Sequence, residues 1–324
     1  MAIRAGISVG LPLLVLVLLR RVDLTVFAAF GAFTSLYGRH VGHVDRTGMQ
    51  LGAGVAFTLA VGLGVAAAAA PGPHTWVVLV VGAVVVLGQI TSDALSWHPP
   101  GSLFLVFAFS VCGSLPGQGL ADVPLAMAVA AVSAGLAVTI GHVGVLRDLT
   151  GWRVPSLPAL SLEQALARPG TWGRLALLGS MTFVAGLVCS LVGLDHPYWG
   201  MVAAVAAFGG SDHATRVVRG LHRIVGTLLG VGVAAAVLGL HPRGVAAVLV
   251  IVVLQVGAEL LIGRNYALAL LCVTPLALMM SQLAHERPVG PLLADRAAST
   301  AIGALLAIGA LVAAERLRAG RRTA

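Results

Sequence analysis

The sequence predicts an all-α integral membrane protein with about twelve transmembrane helices, arranged as two parallel six-helix repeats. Three observations lead to this prediction: the composition, the spacing of the apolar runs and the distribution of arginine. Hydrophobic residues make up 58% of the 324 positions and charged residues 10%. This balance excludes an ordinary water-soluble domain and places the chain in the membrane class.

Apolar runs bounded by glycine, proline or charge divide the chain into predicted spans. Several are shorter than the roughly 20 residues that a helix needs to cross about 30 Å of hydrocarbon. We expect these short spans to tilt little, to be shielded by neighbours, or to cross only partly. The predicted spans are 5–19, 24–38, 48–70, 75–92, 101–115, 123–146, 174–193, 197–210, 223–240, 244–263, 266–283 and 297–315.

The arginine distribution supports this number of spans. All 20 basic residues are arginines, and the net charge is +8. Cytoplasmic loops carry the excess of positive charge, and a cytoplasmic N-terminus would place fifteen arginines inside and five outside. The sequence thus predicts an inner-membrane protein with both termini in the cytoplasm. Its arginines lie mostly between apolar runs, so the lipid bilayer is the expected partner and nucleic acid is not.

Two internal correspondences predict the repeat. Residues 22–54 and 194–230 share one layout, a short Gly- and Ala-rich span, a loop with His and Arg, and a long helix. The pattern Gln-x-x-x-acid occurs at Gln89 and again 166 residues later at Gln255. Six spans per half make the repeats parallel, related by an axis along the membrane normal. The predicted domains are a first repeat (1–146), a cytoplasmic linker (147–173) with a short amphipathic helix at 160–167, and a second repeat with a basic tail (174–324).

The stretch 195–230 joins two apolar spans through a basic loop. It contains Pro197-Tyr198-Trp199, the pair Thr215-Arg216, and the string RIVGTLLG that starts at Arg223. These residues resemble the fusaric-acid-resistance-like (FUSC) membrane transporter family, relatives of the aromatic acid exporters. Later parts of the chain that also resemble it are 259–266, Thr274-Pro275 and Asp295-Arg296-x-x-x-Thr300-x-x-Gly303. The resemblance implies export of small organic anions, possibly aromatic carboxylic acids, coupled to protons.

Glu259 is the first candidate for function. An ionisable group inside a span costs about 2.5 to 3.5 kcal/mol at the centre on insertion scales, so it usually faces a cavity or a partner. Gln255 and Glu259 share one helix face, as do Gln89 and Asp93. The resemblance implies that Glu259 and Asp93 carry protons. Two alternatives are that Glu259 pairs with Arg264 at the membrane edge and that Asp93 lies at the surface.

Arginines and aromatic rings supply the candidate anion site. Arg223 begins the predicted helix carrying Gly226-Thr227 and has Arg46 as its approximate counterpart, so it is the arginine that we expect to select anions at the cytoplasmic entrance. The alternative for Arg223, and for its neighbours at 216 and 219, is anchoring by the positive-inside rule. Arg296 either meets an anion near the outer mouth or anchors the interface.

Two short, glycine-interrupted spans, 24–38 and 197–210, occupy corresponding positions and point to a transport site. Their rings would give an aromatic solute surfaces for stacking, whereas lipid contact or helix packing is the alternative. The rings are Phe27, Phe30, Phe33 and Tyr37 in the first span and Tyr198, Trp199 and Phe208 in the second.

Other chemistry is not predicted. The chain has no Gly-Lys-Ser/Thr phosphate loop, nucleophile elbow or paired catalytic carboxylates, so we expect neither an enzyme nor ATP-driven transport, and no cofactor. His40-x-x-His43 has no further ligand at metal spacing, and Cys112, Cys189 and Cys272 lack C-x-x-C spacing. A homo-oligomer stays possible through the Gly226-x-x-x-Gly230 face. A passive anion channel and a non-transporting scaffold are the alternative functions.

Overall fold

The structure, a computed structural model, describes residues 2–39, 41–70, 75–142, 161–210 and 212–323. All regular secondary structure in these residues is helical, and they contain no strand. The predicted linker residues 147–160 lie outside the described ranges. The helices are α1 (Ala2–Leu18), α2 (Thr25–Ala32), α3 (His43–Ala68), α4 (Thr75–Ala94), α5 (Leu103–Cys112), α6 (Val123–His142), α7 (Leu162–Ala167), α8 (Thr171–Leu191), α9 (Pro197–Ala207), α10 (His213–Gly239), α11 (Val245–Leu261), α12 (Tyr266–Ala284) and α13 (Val289–Thr323).

Within the described ranges, seven helices are long and apolar enough to cross a membrane: α3, α4, α6, α8, α10, α12 and α13. Five shorter apolar helices are α1, α2 with its flanking 3₁₀ turns, α5, α9 and α11. The protein is thus an all-helical, multi-pass membrane protein. The short helices α2 and α9 are shielded as expected, because every residue of α2 and every residue of α9 after Pro197 is buried.

Charged residues at helix ends made several predicted spans too short. Helix α10 begins at His213 rather than at 223, because the Asp212 side chain caps it by accepting a hydrogen bond from the Thr215 backbone N–H at 2.9 Å. Helix α13 begins at Val289 and takes Arg296 into its buried side. The predicted amphipathic helix of the linker is present as α7.

Within each half of the chain, the helices pack in the same pairs. Helix α3 packs against α5 and α6, and α2 packs against α6. In the second half, α10 packs against α12 and α13, and α9 packs against α13. Backbones come close at these crossings, since a methyl group added to Gly31 would lie 2.1 Å from the Ala130 oxygen, and one added to Gly303 would lie 1.9 Å from the Gly200 oxygen.

Contacts between the halves are reciprocal. Helix α1 packs against α11, and α8 packs against α4; α2 packs against α12, and α9 packs against α5. A methyl group on Gly10 would lie 2.3 Å from Val252, and one on Gly179 would lie 3.0 Å from Val86. The two valines are 166 residues apart, the offset of the two Gln-x-x-x-acid patterns. Two valines separated by that offset therefore make similar contacts across the boundary between the halves.

The Gly226-x-x-x-Gly230 face is covered inside the chain. Methyl groups on these glycines would lie 2.6 Å from the Ala267 oxygen and 2.5 Å from the Leu270 oxygen, both on α12. Small residues allow α10 and α12 to approach this closely. The predicted subunit-packing role of this face is therefore wrong, because α12 already occupies it.

Candidate functional site

Two cavities lie among α2, α5, α9 and α12, the helices that meet across the boundary between the halves. We name them the Glu259 cavity and the His196 cavity, each with a volume of about 110 Å³. Four side chains line both cavities and form the wall between them: Phe33, Phe107, Ala277 and Met280. The cavities therefore adjoin each other along the interior of the bundle.

The Glu259 cavity combines charge with apolar rings. Its charged and polar lining comprises Arg223, Gln255, Glu259 and Arg296. Its apolar lining includes Phe33, Leu36, Leu103, Phe104, Phe107, Leu276 and Met280. Such a mixture is typical of small-molecule sites, which place a few polar groups in a mainly apolar pocket. Three of the predicted site residues, Arg223, Gln255 and Glu259, thus meet in one place.

Arg223 lies inside the bundle, whereas the sequence placed it at the cytoplasmic entrance. Only 3% of the surface of Arg223 is exposed, and its Nη1 donates to the Tyr266 hydroxyl at 3.2 Å. Its Nε is buried and has no hydrogen-bond partner among the described residues. The entrance role was wrong because α10 begins ten residues earlier than predicted, which moves Arg223 almost three turns into the helix.

Arg296 is buried as deeply, with 2% of its surface exposed, so it does not anchor the membrane interface. Its guanidinium carbon lies 5.1 Å from the Trp199 ring centre. Nε and Nη1 of Arg296 have no partner in the described part of the chain. Leaving a buried charge uncompensated costs about 3–5 kcal/mol in measured cases, so this group marks a place where an anion would be stabilised.

Glu259 forms its ion pair with Arg39, which precedes α3, and not with Arg264. Arg39 Nη1 also donates to the Glu259 backbone oxygen at 3.4 Å. Partial burial lowers the pKa of Arg39 below its usual value, although a guanidinium stays charged at neutral pH. Arg264 lies beyond the end of α11 and is exposed. The predicted Glu259–Arg264 pair was wrong because α11 ends at Leu261 and the chain then turns away.

Asp93 occupies the matching position on α4 but has different surroundings. Gln89 Nε2 donates to Asp93 Oδ1 at 2.9 Å, and Arg174 of α8 donates to Asp93 Oδ2. The Asp93 side chain is 15% exposed, so the alternative of an open surface position was wrong. Gln89 and Asp93 therefore form a local cluster that ties α4 to α8.

The His196 cavity contains a second charged cluster. His196 Nδ1 donates to Asp295, and His196 Nε2 accepts from Arg287. These partners fix the neutral tautomer with its proton on Nδ1. The ring also stacks on Trp199, with centroids 4.6 Å apart and an interplanar angle of 18°. His196 and Asp295 are both buried at the meeting point of α9 and α13.

Tyr198 and Trp199 line the His196 cavity and are 6% and 1% exposed. Among the other predicted stacking rings, Phe30 and Phe33 line cavities. Tyr37 packs against Phe57 and Trp97 and lines neither of these two cavities. Phe30, Phe33, Tyr198 and Trp199 therefore reach the walls of the Glu259 and His196 cavities, whereas Tyr37 does not.

The sequence missed the roles of Arg39, His196, Asp295 and Arg287. Each of these residues finds its partner in another helix or loop, which spacing along the chain cannot indicate. A signal was nevertheless present at Asp295-Arg296, two adjacent opposite charges within an otherwise apolar run. Ionisable groups in such positions usually have partners or line a cavity.

The arginines near the start of α3 and α10 have a structural role. Arg46 Nε donates to the Gly38 oxygen at 3.1 Å, and Arg216 Nε donates to the Gly210 oxygen at 3.1 Å. Each is the fourth residue of its helix. Arg46 therefore corresponds to Arg216 and not to Arg223, and both arginines bind carbonyl groups where the preceding short helix ends.

Comparison with known proteins finds a match in the second half of the chain. Residues 184–310 match the family described as fusaric acid resistance protein-like. This part of the chain is therefore similar to that family. The resemblance seen in the sequence is thereby confirmed for the fusaric-acid-resistance-like segment, which holds Arg223, Glu259 and Arg296.

One relative of the chain is the uncharacterized membrane protein YvaC of Bacillus subtilis (strain 168). It is 31% identical over 136 residues, which are 42% of this chain and 22% of that protein. The chain thus matches less than a quarter of the length of YvaC. No solved structure matches the chain. In the described residues, no group of three or more His, Cys, Asp or Glu side chains is placed to hold a metal ion.

Proposed function

We propose that the protein is an inner-membrane transporter that exports small organic anions, aromatic carboxylic acids among them, coupled to proton movement. The observation that carries this proposal is the Glu259 cavity, in which one carboxylate, two buried arginines and three phenylalanine rings face a shared space. The fusaric-acid-resistance-like segment supports it, because that family is one of membrane transporters.

The proposed architecture has twelve spans in two parallel repeats, residues 1–146 and 174–324, joined by a cytoplasmic linker. The reciprocal packing of α1 on α11 and α8 on α4 supports it. An even number of spans puts both termini in the cytoplasm, as the arginine bias requires. Labelling of single cysteines at the two ends in intact cells tests this layout. Ends on opposite faces would rule it out.

In the proposed mechanism, Glu259 carries the proton. Arg39 forms an ion pair with the Glu259 carboxylate. Protonation would release Arg39, and loss of the proton would restore the ion pair, so the local charge would alternate during each cycle. Asp93 is the proposed companion proton carrier in the first half, where Arg174 has the corresponding pairing role.

Anion selection in this proposal rests on Arg223 and the rings around it. A guanidinium binds a carboxylate through two parallel N–H···O bonds. The aromatic body of the solute would then lie against Phe33, Phe104 and Phe107. Tyr198 and Trp199 would line the next part of the route, in the His196 cavity.

The decisive experiment is a flux assay with purified protein in lipid vesicles, using radiolabelled benzoate with and without a pH gradient. A carrier of the proposed kind gives saturable flux that the gradient drives above its equilibrium level. Flux that does not saturate and only dissipates the gradient of benzoate itself would indicate a passive channel. Vesicles no more permeable than protein-free ones would contradict transport and favour a membrane scaffold.

A further inference from the structure

Two arginines on different helices face one cavity with donors that nothing in the described chain accepts. We propose that Arg223 and Arg296 form an internal binding site for one carboxylate group, whose small apolar body rests against the phenylalanine wall of the Glu259 cavity. The inference deepens the transport function proposed above and rests on it. It names Arg296 as a residue that determines specificity.

The unpaired donors are the first argument. Nε of Arg223 and both Nε and Nη1 of Arg296 are buried without a partner among the described residues. Both residues are at least 97% buried. Buried polar groups are almost always hydrogen-bonded, and charged ones most of all. A carboxylate supplies acceptor oxygens of the kind that these donors lack.

The charge around the cavity is the second argument. Glu259 is engaged by Arg39, and Asp295 is engaged by His196. Both of these acids therefore already have partners. Two like charges facing one space repel each other, and an anion between them removes that repulsion.

Geometry then selects the kind of anion. Trp199 covers one face of Arg296 at 5.1 Å, so the N–H edge of the guanidinium remains for a ligand. A planar guanidinium edge matches a planar carboxylate, to which it can donate two hydrogen bonds. Besides Gln255 and Glu259, the cavity is lined by Phe33, Phe104, Phe107 and aliphatic side chains. The apolar walls offer no hydrogen-bond donors and the Glu259 carboxylate repels a second negative charge, which favours a monocarboxylate over a dianion.

The size of the space limits the ligand further. The Glu259 cavity has a volume of about 110 Å³, and the adjoining His196 cavity adds a similar volume beyond the shared wall. A single small ring with one carboxylate fits these limits without displacing a helix. Benzoate is therefore a suitable probe, and benzyl alcohol is its neutral counterpart of similar shape.

The test is equilibrium binding of benzoate to the purified full chain in detergent, without any gradient, by calorimetry and by thermal unfolding. Wild-type protein should bind benzoate at least about tenfold more tightly than benzyl alcohol, and benzoate should raise its Tm. Arg296→Gln should weaken benzoate binding at least about tenfold. The control Arg243→Gln, which changes an exposed arginine paired with Glu286, should bind as wild type does.

Three outcomes would overturn the proposal: equal wild-type affinity for benzoate and benzyl alcohol, no binding of benzoate, or unchanged binding in Arg296→Gln. If Arg296→Gln does not fold, the wild-type comparison of the two probes still decides. Binding without any flux in vesicles would support the site and contradict the transport function. Saturable flux in Arg296→Gln equal to wild type would contradict the site and leave transport standing.

Discussion

Helix α3 packs against α6 as α10 packs against α13, but two buried positions carry different side chains in the two pairs. Counted from the first residue of each helix, Ala53 corresponds to Arg223, and Ala130 corresponds to Arg296. Both alanines are fully buried. Similar helix packing thus encloses a close-packed core in the first half and two cationic side chains beside a cavity in the second.

The acids at the ends of α4 and α11 differ in the same sense. Asp93 is held between Gln89 and Arg174, whereas Glu259 has Arg39 on one side and the cavity on the other. The first half contributes the phenylalanine wall at Phe33, Phe104 and Phe107, and the second half contributes the charges. The two halves therefore contribute different groups to the same cavity.

The largest effect is expected from placing an arginine at the buried position Ala130 in the first half. Ala130→Arg should prevent stable folding, because α2 lies directly against this position and a buried unpaired charge costs about 3–5 kcal/mol. The yield of monodisperse protein measures this, with Ala130→Ser as the control that keeps a small side chain. A well-folded Ala130→Arg protein that binds a second equivalent of benzoate would show that the halves are interchangeable.

A smaller but still clear effect should separate the two acids. Glu259→Gln should lower pH-driven benzoate efflux at least about tenfold, because the neutral amide can neither carry a proton nor re-form the Arg39 ion pair. A tenfold loss corresponds to about 1.4 kcal/mol. The matched variant Asp93→Asn, which removes the proposed companion carrier, should lower efflux by a smaller factor, because Asp93 lines neither cavity. Equal losses would mean that the two acids contribute equally to proton movement.

The free energy of unfolding should show the reverse order, with a larger loss in Asp93→Asn than in Glu259→Gln. Asp93→Asn should lower the free energy of unfolding by about 1–2 kcal/mol, between the values for exposed and buried pairs, because the Asp93–Arg174 pair is partly exposed. Thermal unfolding of Asp93→Asn, Arg174→Gln and the double variant gives the coupling energy. Strictly additive losses would mean that the pair does not tie α4 to α8.

The smallest effect is expected at Arg264, which the sequence placed beside Glu259. Arg264→Gln should change efflux by less than about twofold, because this side chain is exposed and the ion pair uses Arg39. Arg39→Gln is the matched comparison and should change the pH dependence of efflux. Loss of the pH dependence in Arg264→Gln but not in Arg39→Gln would instead indicate that Glu259 pairs with Arg264.

Much of the fold could be predicted because hydropathy reports burial in lipid directly. The described helices follow the predicted spans, and α7 appears where the linker was predicted to form a short helix. The errors fall at helix ends. The sequence predicts a boundary of the apolar run at Arg216, Arg219 and Arg223. In the structure, Arg216 and Arg219 donate to backbone carbonyls at 3.1 Å, so α10 starts earlier.

The site could be predicted in part. Glu259, Gln255 and Arg223 do line one cavity, since a helical spacing of four and a buried charge both point inward. The partners could not be predicted, because Arg39 is 220 residues from Glu259 and His196 is 99 residues from Asp295. Contacts at such separations depend on how the halves pack, and the spacing of residues along one helix does not encode them.

The contact between α1 and α11 has a consequence for synthesis at the ribosome. Helix α1 leaves the ribosome first, but the surface that it packs against begins at Val245. At typical elongation rates of about 5–20 residues per second, α1 waits on the order of ten seconds or longer for this surface. During that time the glycine-containing face of α1 must be covered by lipid or by an insertion factor. Premature termination before α11 leaves α1 without this packing partner and makes the truncated chain a substrate for quality-control proteases.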